Sequence, residues 1–136
     1  HSGIIFNKEG EYEVALDFIE CKGICDFTGP FFKWALSTGN TNWQWENSTT
    51  AFTENSWNHF VFTFNKGTIK TYLNGQLKEE RTRTDQTVTD SALSFHELRI
   101  GGRQSGSQFF KGGLDDFRFY DFAITAANVS TLYADK

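Results

Sequence analysis

The sequence has no methionine, a single proline and two cysteines in 136 residues. Cys21 and Cys25 have no second Cys/His pair at metal-ligand spacing, so a zinc site has little support. The short run Cys21-Lys22-Gly23-Ile24-Cys25 reads first as a local disulfide, with two free thiols and then a metal as the alternatives. No apolar run is long enough to cross a bilayer, and no leader pattern is present, which leaves the compartment open. Basic residues are sparse and scattered. Their densest group, Lys78, Arg81 and Arg83, is interleaved with Glu79 and Glu80, and the formal charge is −4, so nucleic acid is excluded as a partner. A Gly-x-Ser-x-Gly elbow and a phosphate-binding glycine loop are both missing. Glu79 and Glu80 are adjacent, so on a strand they point to opposite faces and form no catalytic pair. His96 beside Glu97 has no nucleophile attached.

What is abundant is aromatic. Fifteen Phe, four Trp and four Tyr favour pleated, half-buried surfaces, and twelve Gly suit tight turns between them. Apolar residues recur at period two far more than at 3.6. Tyr12, Val14, Leu16 and Phe18 alternate with Glu13, Ala15 and Asp17. Phe32, Trp34 and Leu36 mark a second strand, and Trp43 and Trp45 anchor a third. Phe60, Phe62 and Phe64 share one face, with Val61 and Thr63 opposite, which suggests a central strand. Asn74-Gly75 between two alternating runs specifies a hairpin with a two-residue turn. A strand at Glu97 to Ile100, a loop from Gly101 to Gln108 and a last long strand from Leu114 to Phe122 follow. Only the tail (Val129, Leu132, Tyr133) has helical spacing, with Thr125 as its N-cap. About ten short strands and one terminal helical turn give an all-β antiparallel sandwich or jelly roll, one domain over residues 1–136.

From Trp57 onward the features resemble the laminin G-like family of concanavalin A-like jelly rolls. The matching residues are Trp57-Asn58-His59, Tyr72-Leu73-Asn74-Gly75, Ile100-Gly101 and Phe110-Lys111-Gly112-Gly113-Leu114-Asp115-Asp116-Phe117-Arg118-Phe119-Tyr120, in family order. The segments Ile5 to Tyr12, Trp34-Ala35-Leu36 and Trp43-Gln44-Trp45 are similar to the same branch. The resemblance implies an extracellular, non-catalytic binding module. It also implies one or two opening strands before Ile4 that this sequence does not show: either the sandwich is short, or a strand comes from a neighbouring chain or from a missing segment. Glucanases that share the sandwich carry Glu-x-Asp-x-x-Glu on one strand for acid/base work, and that spacing is absent here.

Several residues are candidates for function. If Leu114 to Phe122 is a strand, Asp115 points where Phe117 and Phe119 point. A carboxylate among phenylalanines must then accept bonds from backbone amides or an indole such as that of Trp57, or bind a cation. In related jelly rolls this region lies near a structural calcium, so Asp115, with Asp116 behind it, is the metal candidate. Trp43 and Trp45 share a face beside Asn42, and aromatic faces beside amides suit sugar recognition; packing in the core is the competing reading, and the resemblance favours it for Trp45. The polar loop carrying Arg103 and Gln104 is a second binding candidate, against a plain exposed connection. His59 reads as structural. Asn47-Ser48-Thr49 and Asn128-Val129-Ser130 are glycosylation sequons. The expected function is recognition of a glycan or glycoprotein surface, with calcium assistance. The alternative is a structural building block of a surface assembly, contacting neighbouring domains or copies of itself.

Overall fold

The computed structural model describes residues 3–19, 29–38, 44–84, 87–89 and 96–135. Among these, eight strands and one helix follow in order: β1 (Gly3–Lys8), β2 (Tyr12–Ile19), β3 (Gly29–Leu36), β4 (Gln44–Ala51), β5 (Phe60–Asn65), β6 (Thr68–Leu73), β7 (Gln76–Thr82), β8 (Arg99–Ile100) and α1 (Ala126–Ala134). They form two antiparallel layers, a five-stranded sheet in the order β4-β3-β2-β1-β8 and a three-stranded sheet β5-β6-β7. The expected all-β sandwich with a short terminal helix is what the chain forms.

Period-two alternation sets what lies between the layers. Val14, Phe32, Trp34 and Leu36 of the larger sheet are buried against Ile69 and Leu73, with Phe60, Phe62 and Phe64 packed on them. Phe32 stacks on Phe60 with ring centroids 3.8 Å apart, and Trp34 meets Phe62 at 5.5 Å. Each such side chain removed from water contributes about 1.5–3 kcal/mol.

At the β4 end the interlayer space is polar instead. Ser48 donates to Glu79 (2.6 Å), its hydroxyl lies 2.8 Å from that of Thr50, and the Thr50 and Thr71 hydroxyls lie 3.0 Å apart. Glu46 pairs with Arg81 (3.2 Å) and Arg83 (2.6 Å), and the Arg83 guanidinium lies over the Trp34 ring at 5.0 Å.

The hairpin forms at the expected place. Asn74 (φ 51°) and Gly75 (φ 77°) turn β6 into β7, and Asn74 Oδ1 accepts from the backbone of His59. A Cβ on Gly75 would come within 3.0 Å of the Tyr133 ring, whereas one on Gly106 (φ 71°) would meet nothing within 4 Å. Gly75→Ala is therefore expected to lower the urea midpoint by more than Gly106→Ala. The common conformational term is about 1 kcal/mol, and the Tyr133 clash adds to it only at position 75. Equal losses would show that Tyr133 yields freely.

Thr125 caps α1 as expected, through a capping box with Asn128. The helix buries Val129 against Tyr72 on the outer face of the smaller sheet. The His59 ring stacks on that of Tyr133, with centroids 5.8 Å apart.

Three expectations are corrected. Among the described residues β5 is an edge strand, not a central one. The strand expected at Glu97 to Ile100 shrinks to Arg99–Ile100. Residues 114–122 form no strand: alternation placed Phe117 and Phe119 on one side, where both rings contact Phe6 at 5.9 and 5.6 Å, but among the described residues no strand offers this segment a ladder.

Candidate ligand-binding face

The outer face of the five-stranded sheet carries the polar residues that alternation turned away from the core. Cross-strand register puts Trp45 opposite Ala35, Ala35 opposite Glu13, Glu13 opposite Asn7, and Asn7 opposite Arg99. Directly paired residues share a face, so these five form one transverse row. Trp45 and Asn7 stand three strand spacings apart, roughly 14 Å.

Trp45 is half-buried on this face, so it does not pack between the sheets. The reason is the reversed polarity of β4: the residues facing the smaller sheet are Glu46, Ser48 and Thr50, matched to the polar interlayer cluster. Lys33 Nζ stands 4.9 Å from the Trp45 ring centroid and is held by Asp17 at 2.7 Å. Burial works against the Asp17 carboxyl, but the hydrogen bond and charge of Lys33 and the Phe18 amide win and lower its pKa.

At the other end of the row, Arg103 and Gln104 converge on β1 and β2. Arg103 grips Glu9 through Nε (3.3 Å) and its terminal nitrogen (3.2 Å), and that nitrogen also lies 3.3 Å from Glu13 Oε2. Asn7 donates to Glu9 (3.2 Å) and accepts from the Gln104 backbone (3.3 Å). The loop is closed by Arg103 N to Ser107 O (3.0 Å) and Gly106 N to Arg103 O (2.9 Å). Glu9, Arg103, Gln104, Ser105, Ser107 and Gln108 line an open cavity of about 540 Å³.

Glu13 is the residue that sequence reading missed. Strand alternation assigned it to solvent, yet it is 0 % exposed. Burial is the dominant cause pushing its carboxyl up to about 7; Arg103 opposes the rise, and the charge of Glu9 adds to it. Gln104 Oε1 is likewise buried with no hydrogen-bond donor among the described residues. The available signal was the apolar content of the supposed solvent face: Ala15, Phe31 and Ala35 lie on it and are buried too.

The remaining candidates fall elsewhere. Asp115 is exposed, not buried among the phenylalanines: it accepts from the Asp116 amide (2.8 Å), while Asp116 holds Arg118 (2.8 Å). Among the described residues no indole bonds to Asp115, and Trp57 is 75 % exposed. No group of three or more acidic, His or Cys side chains converges among the described residues. Asn128 is exposed on α1, its side-chain oxygen engaged in the cap. Asn47 lies on β4. Asn42, Trp43, Cys21, Cys25 and the Asn47 side chain lie outside the described residues.

A laminin G-type family model, described as the concanavalin A-like lectin/glucanases superfamily, matches residues 2–130. A crystal structure of an S-layer domain-containing protein (residues 221–444) from Clostridium thermocellum ATCC 27405 is similar, at 20 % identity and a TM-score of 0.46. That similarity covers 93 % of this chain and 58 % of the other. A comparison with curated proteins finds no match. No helix among the described residues is long and apolar enough to cross a membrane.

Proposed function

We propose that this chain, which belongs to the concanavalin A-like lectin/glucanase superfamily, is a non-catalytic extracellular module that binds carbohydrate on the outer face of its five-stranded sheet. The observation that carries this reading is the open polar cavity lined by Glu9, Arg103, Gln104, Ser105, Ser107 and Gln108, with the half-buried Trp45 indole on the same sheet face; Asn7 and Glu13, fully buried, hold Gln104 and Arg103 from beneath and do not themselves meet the ligand. Ring faces pack on the apolar faces of sugars, and planar polar groups read hydroxyls at fixed distances. Arg103 is already shared between Glu9 and Glu13, so the cluster carries no net positive charge. That favours a neutral oligosaccharide over an anionic one. Affinity at one such site is weak, and useful binding comes from several copies acting together on a glycosylated surface.

The test is a broad glycan array, run with calcium and with chelator, followed by titration of the best neutral ligand. Trp45→Ala is expected to weaken that ligand at least tenfold while the melting temperature changes little, because Trp45 contributes nothing to the interlayer core. Silence across the array in both conditions, or an unchanged affinity in Trp45→Ala, overturns the reading. The building-block reading draws support from a different feature, the unpaired residues 114–122.

A further inference from the structure

Arg103 stands between two carboxylates and is held closely by neither. Its Nε and terminal nitrogen lie 3.3 and 3.2 Å from Glu9, and the same terminal nitrogen lies 3.3 Å from Glu13. The firm ion pairs of this chain are shorter, with Arg83–Glu46 at 2.6 Å and Lys33–Asp17 at 2.7 Å. A charge-assisted bond settles at about 2.7–2.9 Å when one cation serves one carboxylate.

The two carboxylates occupy different surroundings. Glu9 lines the open cavity, whereas Glu13 lies beneath it, fully buried. Across the register Glu13 faces Asn7 on β1 and Ala35 on β3, and the charges that act on it are Arg103 from the loop, Glu9 from the β1–β2 turn and Lys33 from β3. Lys33 is tied to Asp17, Arg99 stands beyond Asn7 on β8, and His96 Nδ1 lies 3.2 Å from the Glu9 carbonyl. A buried carboxyl carries a negative charge only with a cation against it, and otherwise keeps its proton. Burial accordingly raises the Glu13 carboxyl to about 7, against the pull of Arg103.

The loop lets the guanidinium shift without breaking its own base. Gly101 N to Ile5 O (2.8 Å) and Ile4 N to Gln108 O (2.9 Å) fix that base, where Gly101 (φ 78°) and Gln108 (φ 53°) turn the chain. The tip is tied to the sheet through side chains, by Arg103 and by the long Gln104 N to Asn7 Oδ1 bond of 3.3 Å. A Cβ on Gly106 would meet nothing within 4 Å, so this part of the tip is unpacked.

We propose that Glu13 is a proton-operated switch beneath the cavity: with its proton on, Arg103 serves Glu9, and with its proton off, Arg103 turns inward to Glu13 and leaves the Glu9 carboxylate bare on the cavity wall. Glu13 is thus a positioning residue that meets no ligand. The cavity gains one negative charge when the proton leaves, and with it an acceptor for ammonium or hydroxyl donors. No ligand is required for the switch, so it stands or falls apart from the carbohydrate reading.

The experiment is carbon-13 NMR of the glutamate carboxyls and Arg103 Cζ, with amide proton–nitrogen spectra, on the unliganded full chain between about pH 4 and pH 9. Glu13 is expected to titrate in one step near pH 7, and the Glu9 carboxyl, Arg103 Cζ and the Gln104 to Ser107 amides are expected to shift with the same midpoint. In Glu13→Gln those coupled shifts are expected to vanish. Glu9→Gln removes a neighbouring negative charge and is expected to lower the Glu13 midpoint. Arg103→Gln removes the neighbouring cation and is expected to raise it by about one unit. His96→Gln is expected to leave the step in place. The last three variants decide the matter even where the buried substitution prevents folding. Four results overturn the proposal: a Glu13 midpoint in the ordinary carboxylate range, a loop step that survives Glu13→Gln, a step abolished by His96→Gln, or a Glu13 step that leaves the Glu9 and Arg103 signals unmoved.

Discussion

Glu13→Gln is expected to abolish a fall in stability that the native chain shows between about pH 4.5 and pH 7. The carboxyl rises from 4.5 in the unfolded chain to about 7 in the folded one, chiefly through burial. Below pH 4.5 the group is protonated in both states and contributes nothing. Between the two values the unfolded chain releases the proton that the folded chain still holds, so stability declines as pH rises, and the loss is complete above 7. A shift of this size corresponds to about 3 kcal/mol. At pH 8 the glutamine variant should therefore be the more stable protein by up to that amount, and at pH 4 the two should nearly coincide. Urea titrations at a series of pH values measure both. An unchanged slope in the variant would mean that Glu13 does not titrate in this range.

Trp34→Ala carries the largest expected loss, about 3–5 kcal/mol. The side chain is 1 % exposed, lies against Phe62 and under the Arg83 guanidinium, and sits where the apolar core meets the polar cluster. Removing it opens a cavity on one side and strips Arg83 of its aromatic neighbour on the other. Trp34→Phe keeps a ring in place and should lose less than half as much. Chemical denaturation of the three proteins separates these outcomes, and a loss under 1 kcal/mol for alanine would contradict the packing described.

Much of the fold was legible because its signals are local. Asn74-Gly75 states its own turn, Thr125 its own cap, and Phe60, Phe62 and Phe64 their shared face. The failures share one cause: alternation assigns a residue to a side but does not identify what that side meets. Residues 114–122 alternate as a strand should, yet a strand exists only if another chain segment offers a ladder. Trp45 follows the same pattern as its polar neighbours on β4, and which of them faces the smaller sheet was settled by Thr71, Glu79, Arg81 and Arg83, far away in sequence. Glu13 was misplaced because a carboxylate ordinarily marks the wet side. Of the binding candidates, Arg103 and Gln104 do come together with β1 and β2, whereas Asp115 bonds to the Asp116 amide and Asp116 to Arg118.

The polar seam between β4 and the smaller sheet has a mechanical consequence for anything held at Trp45. Greasy contacts tolerate sliding because they have no preferred direction, whereas the Ser48–Glu79, Thr50–Thr71 and Glu46–Arg83 links are directional and break over short displacements. A tug on the indole is thus passed through β4 into bonds that span both sheets, so tension on a captured molecule is borne by the whole sandwich and not by one flexible edge.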